Sequence, residues 1–246
     1  MTNEEFSNSF DTLLNSYNVS GEFGEPSSKQ SLVFDEYEKS LFLTKSQEEI
    51  TESLYNGRNP FAESFEQTEE LRRYLSNLVC DTTLEPSSQS FRGIGGNTSK
   101  FFVFPTRPRL WFITYETITL ESDDACLNGK ILDVIPVTQD EYLRIKRNPF
   151  RGCNSRRALR LDVSDNVVEI VCKYSADKAV VKQYYARYLR HPNPIILRRL
   201  PDGLSINGES DYMECELHEA LHQKILDRAV ILALQSRGAL NSKDSK

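Results

Sequence analysis

The apolar residues in the first third of the chain recur at helical spacing. Thr2 and Glu5 can form a capping box at the start of a first helix. The apolar residues that follow lie on one helical face: Phe6, Phe10, Leu13, Leu14 and Tyr17. This pattern predicts a helix over residues 2–17, followed by a connector at 18–34 that contains Gly, Ser and Pro.

Two more helices are predicted before residue 80. The first starts near Asp35 and stops at Asn56-Gly57, and Thr44 with Gln47 offers an internal capping box. The next has Pro60 in its first position, which suits a residue without an N–H group. Its predicted inner face consists of Phe61, Phe65, Leu71, Leu75 and Leu78.

The middle of the chain is rich in β-branched and aromatic residues, which are typical of strands. Strands are predicted at 101–104, 110–120, 131–137, 160–163, 167–172 and 180–189. Thr138 and Glu141 can cap one short helix between the third and fourth of these strands. A final helix follows from His218 onward.

This order of helices, strands and one helix predicts an α+β fold. The N-terminal and C-terminal helices are expected to form a helical body, with a strand-rich, antiparallel middle region inserted between them. The predicted parts are an N-terminal helical part at 1–85, a strand-rich region at 86–212, and a C-terminal helix and tail at 213–246 that packs with the N-terminal helices.

The C-terminal helix contains an H-E-x-x-H sequence, the pattern of zinc proteases, at His218, Glu219 and His222. A zincin also needs a third ligand, yet the 24 residues after His222 contain no His, Glu or Cys. If the helix starts at His218, both histidines share an arc with apolar residues such as Leu221 and Ile225. We therefore interpret them as packing residues, with no catalytic, metal or cofactor role, and a zinc metalloprotease is the less favoured alternative.

The same helix is apolar on every side between Ala229 and Leu234. One core face cannot cover such a segment, so a second partner is implied. Val230, Ile231 and Leu234 are the candidate residues of an interface with another subunit or a partner protein.

A glycine-rich segment, Gly93–Lys100, resembles a phosphate-binding loop only superficially. Such a loop places Gly-Lys-Ser/Thr at the start of a helix, whereas Lys100 leads into an aromatic strand. The segment is therefore interpreted as an ordinary loop.

Charge is distributed unevenly along the chain, whose net charge is −6. Residues 1–85 carry 17 acidic and 6 basic residues, and residues 86–246 carry 19 acidic and 24 basic ones. This asymmetry suggests surfaces that meet different partners.

A cluster of seven bases without an acid lies between 144 and 160: Arg144, Lys146, Arg147, Arg151, Arg156, Arg157 and Arg160.

The basic cluster allows two interpretations. A phosphate-backbone partner would be attracted to it, which predicts a loop facing DNA or a nucleic-acid-binding factor. A subunit–subunit surface that forms salt bridges explains it equally well.

The five cysteines, odd in number and without C-x-x-C spacing, fit thiols in a reducing cytoplasm. The longest apolar run has six residues, which is too short for a membrane-spanning helix, so no membrane partner is expected.

Two stretches of the chain resemble the ring, or head–tail connector, proteins of short-tailed bacteriophages of the crAss-like group. They are EEFSNSFDTLLNSY (4–17) with FDEYEKSLFLTKSQEEI (34–50) and YNGR (55–58), and LSINGESDYMECELHEALHQKILDRAVILAL (204–234). Glu38-Lys39-Ser40 and the segment from Leu221-His222 to Arg228-Ala229 carry the resemblance best. More remotely, the pattern is similar to the tail accessory (adaptor) proteins of podoviruses.

The resemblance implies a structural virion protein without enzymatic activity or cofactor. It implies a closed, dodecameric ring beneath the portal protein that continues the DNA channel and links the capsid to the tail. Neighbouring ring or tail proteins would be its other partners, and packaged DNA would pass without recognition of its sequence. Assembly would take place in the host cytoplasm.

Overall fold

The computed structural model describes residues 1–19, 33–57, 68–89, 91–148 and 150–236. The chain divides into two compact units. Unit 1 consists of residues 1–78 and 192–246, and unit 2 consists of residues 79–191. Within the described ranges, no helix is both long and apolar enough to cross a bilayer.

Five α-helices and seven β-strands occur in the described part of the chain. The helices are α1 (Asn3–Val19), α2 (Glu36–Tyr55), α3 (Glu69–Tyr74), α4 (Gln139–Ile145) and α5 (His222–Ser236). The strands are β1 (Val79–Leu84), β2 (Ser99–Val103), β3 (Leu110–Glu121), β4 (Ile131–Pro136), β5 (Arg157–Ser164), β6 (Val167–Val171) and β7 (Val180–Arg190). The protein is therefore an α+β protein with helices toward both ends, as the sequence predicts.

Helices α1, α2 and α5 form the body of unit 1. The predicted capping box starts α1, since Thr2 N donates to Glu5 Oε2 (2.8 Å) and Glu5 N donates to Thr2 Oγ1 (3.2 Å). Lys39 of α2 is buried and lies 2.7 Å from Asp11 of α1. Burial alone would lower the pKa of Lys39, but Asp11 and Glu36 outweigh it and the pKa is raised.

The side of α2 that faces the interior of unit 1 carries several polar residues. Thr44 Oγ1 accepts from Ile195 N (3.1 Å) and donates to Ile195 O (3.3 Å). Ser40 Oγ accepts from Leu197 N (3.0 Å), and Gln47 Nε2 donates to the carbonyl of Asn193 (2.8 Å). These side chains therefore satisfy the backbone of segment 193–197, which runs along the helix.

The predicted internal capping box of α2 at Thr44 and Gln47 is wrong. The helix is continuous and starts at the capping box formed by Asp35 and Glu38. Thr44 and Gln47 are buried and bind the backbone of a distant segment, so they do not cap a helix terminus.

The third helix is shorter than the sequence suggests. Residues 76–78 form a single 3-10 turn, and β1 then begins at Val79. The β-branched pair Thr82 and Thr83 pairs with β7, and this pairing extends the sheet where helix or loop was expected. The predicted helix start at 58–67 and most of the connector at 18–34 lie outside the described residues.

Unit 2 contains one seven-stranded sheet in the order β1-β7-β3-β4-β5-β6-β2. The prediction of an antiparallel region needs correction, because β4 and β5 are parallel and the sheet is mixed. A parallel pair requires a crossover connection, and α4 lies in that connection. The sheet curls, since Phe102 of β2 and Tyr184 of β7 meet with ring centroids 5.3 Å apart.

The two sides of this sheet are covered differently. Its concave side holds the main core, to which β2 to β7 all contribute. On the opposite side, α4 places Tyr142 and Ile145 against Leu159, Leu161 and Val171. Thr138 caps α4 as predicted, because its Oγ1 accepts from Glu141 N at 3.2 Å.

A charged cluster is buried within the core of unit 2. The carboxylate of Glu116 accepts from Arg160 Nη1 (2.7 Å) and from the Tyr184 hydroxyl (2.7 Å). Burial raises the pKa of Glu116, and the Arg160 and Tyr184 contacts oppose that increase. A buried charge with both partners in place is tolerated, whereas removal of one partner is costly.

The unit boundaries differ from the predicted boundaries at residues 85 and 212. Unit 2 starts at Val79, because β1 joins the sheet directly after the 3-10 turn. It ends at His191, because segment 193–197 binds the polar side of α2 instead of extending the sheet.

We expect Thr44→Val to destabilise unit 1 by about 1–3 kcal/mol, since the buried N–H and carbonyl of Ile195 lose a hydrogen-bond partner. Urea denaturation followed by circular dichroism measures this loss. Thr12→Val is the matched control, because the Thr12 hydroxyl is exposed and bonds only within its own helix. Equal free energies of unfolding for the two variants would contradict the role of Thr44.

We also expect the fluorescence of Trp111, the single tryptophan, to respond to His191. The two rings stack at 4.3 Å, and burial, aided by Arg109, lowers the pKa of His191 to about 4. Protonation near pH 4 should quench Trp111, and His191→Gln should abolish that transition. In the unfolded chain this histidine has a pKa of about 6.5. The free energy of unfolding should therefore fall as the pH is lowered from about 6.5 to about 4, where the folded protein also binds the proton. A quenching midpoint near pH 6.5 would contradict this assignment.

Candidate functional site

The H-E-x-x-H sequence lies at the entry to α5, and its two histidines have different environments. His218 is exposed and precedes a 3-10 turn at Glu219–Leu221, where its Nδ1 accepts from Ala220 N at 3.2 Å. The expectation that His218 shares a buried stripe is therefore wrong. The helical wheel assumed a regular α-helix from residue 218, whereas α5 begins at His222.

His222 is buried, as the sequence predicts, and both of its ring nitrogens have partners. Nε2 lies 3.0 Å from the carbonyl of Leu217, which can only accept, so Nε2 carries the proton. Nδ1 lies 2.7 Å from the amino group of Met1. Burial lowers the pKa of His222. Among the residues that the structure describes, no three His, Cys, Asp or Glu side chains gather as a metal site would need.

The glycine-rich loop binds a carboxylate of its own chain. Glu169 is fully buried, and its carboxylate accepts from Ile94 N (3.0 Å) and Gly95 N (2.8 Å). At Gly93, a Cβ atom would lie only 2.3 Å from Glu169 Oε1, so a larger residue there would displace the bound carboxylate. These backbone amides are the groups that a phosphate would use, and Lys100 lies in a strand, which supports the interpretation as an ordinary loop.

The basic cluster begins at the end of α4 and continues through the loop to β5. Arg160 does not belong to its exposed part, because its guanidinium is held by Glu116 inside the sheet. Arg157 is half-buried and donates to the carbonyl of Phe150 at 3.3 Å. The remaining five bases are exposed to solvent: Arg144, Lys146, Arg147, Arg151 and Arg156.

Hydrogen bonds hold the loop after α4 in a defined conformation. Asn148 Oδ1 accepts from Phe150 N (2.9 Å) and Arg151 N (3.3 Å). Gly152 N donates to Asn148 O (2.7 Å), and a Cβ atom at Gly152 would come within 2.8 Å of that carbonyl. The loop therefore presents Phe150, with 87% of its surface exposed, between basic neighbours.

The three candidate interface residues of α5 are not equally available. Val230 and Leu234 are buried inside unit 1, at 0% and 5% exposure. Ile231 is half-buried and keeps part of its surface accessible. The helix is apolar on all sides chiefly because α1 and α2 both pack against it, so an external partner on α5 would meet Ile231.

The two units carry net charges of opposite sign. Unit 1 contains 23 acidic and 13 basic residues, and unit 2 contains 13 acidic and 17 basic residues. Complementary surfaces of this kind can attract unlike units of different subunits.

The exposed Phe150 was missed by the sequence reasoning, which singled out only the charges around it. A usable signal was present, because Asn-Pro-Phe-Arg-Gly places a large aromatic residue between two turn-forming residues, outside any helical or strand period.

These surfaces belong to a structural virion protein of the ring-forming class. The family described as phage tail ring protein 3/4 matches residues 1–245, and the chain belongs to this family. It is 47% identical to Ring protein 3 of Bacteroides phage crAss001, with 98% of each chain covered. It is also 26% identical to Ring protein 4/5 of the same phage, with 95% of this chain and 92% of that protein covered. The predicted resemblance to crAss-like phage ring proteins is thereby confirmed.

We expect the purified protein to bind far less than one zinc ion per chain after exposure to zinc and dialysis. His222 uses both nitrogens within unit 1, and His218 faces solvent as a helix cap. Elemental analysis measures the content, and Glu219→Gln should leave assembly unchanged because Glu219 is exposed. Stoichiometric zinc that is lost in His222→Ala would instead support the metalloprotease alternative.

Proposed function

We propose that this protein forms a closed ring in the head–tail connector, beneath the portal protein. The observation that carries the proposal is the 47% identity to Ring protein 3 of phage crAss001 along nearly the whole of both chains. The ring continues the DNA channel from the capsid and links the capsid to the tail. It has no enzymatic activity and needs no cofactor.

The two relatives support a proposal for the position in the connector. One phage carries two proteins that match this chain over more than nine tenths of their length, and the match to Ring protein 3 is the stronger. The proposed place is therefore that of Ring protein 3, with a ring of similar subunits as a neighbour. The proposed ring is dodecameric, assembles in the host cytoplasm and passes DNA without reading its sequence.

A ring also requires two different faces on each subunit, because a head-to-tail contact joins unlike surfaces. The opposite charges of the two units supply unlike surfaces. The exposed bases and the exposed Phe150 on unit 2 supply a second kind of contact, which suits a neighbouring subunit or ring.

Coexpression with the portal protein tests the proposal. Negative-stain images and native mass measurements of the purified material should show portal particles that carry an additional ring of this protein. Portal particles without bound protein, together with a monomer that binds DNA in solution, would favour a nucleic-acid-binding factor instead.

Ile231 and Leu234 permit a sharper test of α5. Ile231→Asp should leave a folded subunit but reduce ring yield, because a charge without a partner in a desolvated interface costs several kcal/mol. Leu234→Asp should unfold unit 1 itself, since Leu234 is buried within the subunit. Circular dichroism separates the two effects, and normal rings from Ile231→Asp would show that Ile231 takes no part in ring assembly.

A further inference from the structure

Unusually many exposed apolar side chains lie on the convex side of the sheet in unit 2. Eleven large apolar side chains are exposed among the described residues, and five of them lie on the outward side of β3 and β4, on α4, or in the loop that follows α4. These five are Tyr115, Ile131, Ile135, Leu143 and Phe150. Single exposed apolar residues are ordinary, whereas a group on one side of a sheet marks an interaction surface.

The strand pairing brings these residues together. Leu132 and Val134 point into the core, so Ile131, Asp133 and Ile135 share the outward side of β4. Asp133 is the register partner of Arg157 on β5. Tyr115 lies on the outward side of β3, two residues from Thr117, which pairs with that same aspartate.

The loop and α4 border the same side. The guanidinium of Arg157 donates to the carbonyl of Phe150 at 3.3 Å. Because Arg157 is the register partner of Asp133, this hydrogen bond holds the loop near Asp133 of β4. Helix α4 covers Leu159, the register partner of Ile135, and leaves Leu143 55% exposed. The result is an apolar centre bordered by the exposed Arg147, Arg151 and Arg156. These residues together are named the apolar–basic face.

Unit 1 offers a surface of matching chemistry. The solvent side of α2 carries residues spaced three and four positions apart, which places them in one stripe. This α2 stripe consists of Glu38, Leu41, Lys45, Glu48 and Glu52. Leu41 is 44% exposed, so the stripe has an apolar residue among three acids and one base. An acidic stripe with an apolar residue complements a basic face with an apolar centre.

We propose that the apolar–basic face of one subunit binds the α2 stripe of the next copy in the ring. This proposal deepens the ring function and rests on it. The contact is heterologous, as ring closure requires, because it joins unit 2 of one subunit to unit 1 of another. Phe150 is its central anchor, since aromatic and arginine side chains in the middle of an interface contribute most of the binding energy.

DNA is the other occupant that the basic residues could attract. The exposed Phe150, Ile131 and Leu143 argue against it, because contacts to a duplex backbone are polar and apolar side chains gain nothing from phosphates. The fixed loop conformation also suits a protein partner, since a preorganised aromatic side chain loses little entropy on binding.

A charge-swap experiment tests the contact. Arg147→Glu with Arg151→Glu on the loop, or Glu48→Lys with Glu52→Lys on α2, should each raise the protein concentration needed for rings on the portal by about tenfold or more, because like charges then face each other. A subunit that carries both pairs of changes should form rings near the wild-type concentration. Phe150→Ser should weaken assembly without restoration by the α2 changes.

The control reverses Lys173 and Lys178, two exposed lysines of unit 2 outside the loop, and should assemble normally. Normal rings from the loop variant, or no restoration in the combined variant, would overturn the proposed contact while the ring function stands. Intact rings that lose DNA would assign the loop to DNA and overturn it as well. If the wild-type protein forms no ring on portals under these conditions, the ring function itself fails, and this contact with it.

Discussion

Unit 1 depends on hydrogen bonds between the buried polar side of α2 and a segment of chain that follows the sheet. Buried backbone groups must find partners, and within the described residues segment 193–197 has one bridge to another extended segment, between Ile196 and Met213. Ser40, Thr44 and Gln47 provide the missing partners at 0–4% exposure. Ser46 adds a hydrogen bond to Ile225 O of α5 at 2.7 Å. The returning chain and the last helix are therefore both fixed to one helix near the N-terminus.

In unit 2, the connection between two parallel strands determines which surface is exposed. The parallel pairing of β4 and β5 requires a crossover, and the crossover contains α4 and the basic loop. Helix α4 is only seven residues long, so it covers part of the convex side and leaves Ile131 and Ile135 of β4 exposed. Asn148 and Gly152 then fix the loop through local hydrogen bonds that need no partner protein. The surface is thus a direct consequence of the sheet topology.

Periodicity predicts the elements that pack by an apolar face and fails where polar groups are buried. Strands β2 to β7 and capping residues such as Thr2 and Thr138 follow from local sequence, and they are found close to the predicted positions. Thr44 and Gln47 look like a helix start because their partners lie more than a hundred residues away and leave no local signal. Arg160 looks like part of an exposed basic run for the same reason, since its partner Glu116 is on another strand. The parallel pairing is likewise a tertiary property that alternation of side chains cannot reveal.

The separation of charge between the units favours ring assembly over symmetric pairing. A two-fold contact through unit 1 would bring together two units that each contain 23 acidic and 13 basic residues, and their repulsion would oppose it. A head-to-tail contact instead sets acidic unit 1 against unit 2, in which bases outnumber acids. Such contacts leave unit 1 free at one end of an open assembly and unit 2 free at the other, until the assembly closes. In the proposed connector, a circular template such as a portal would then select the closed ring over an open filament, because it holds successive subunits at a fixed rotation.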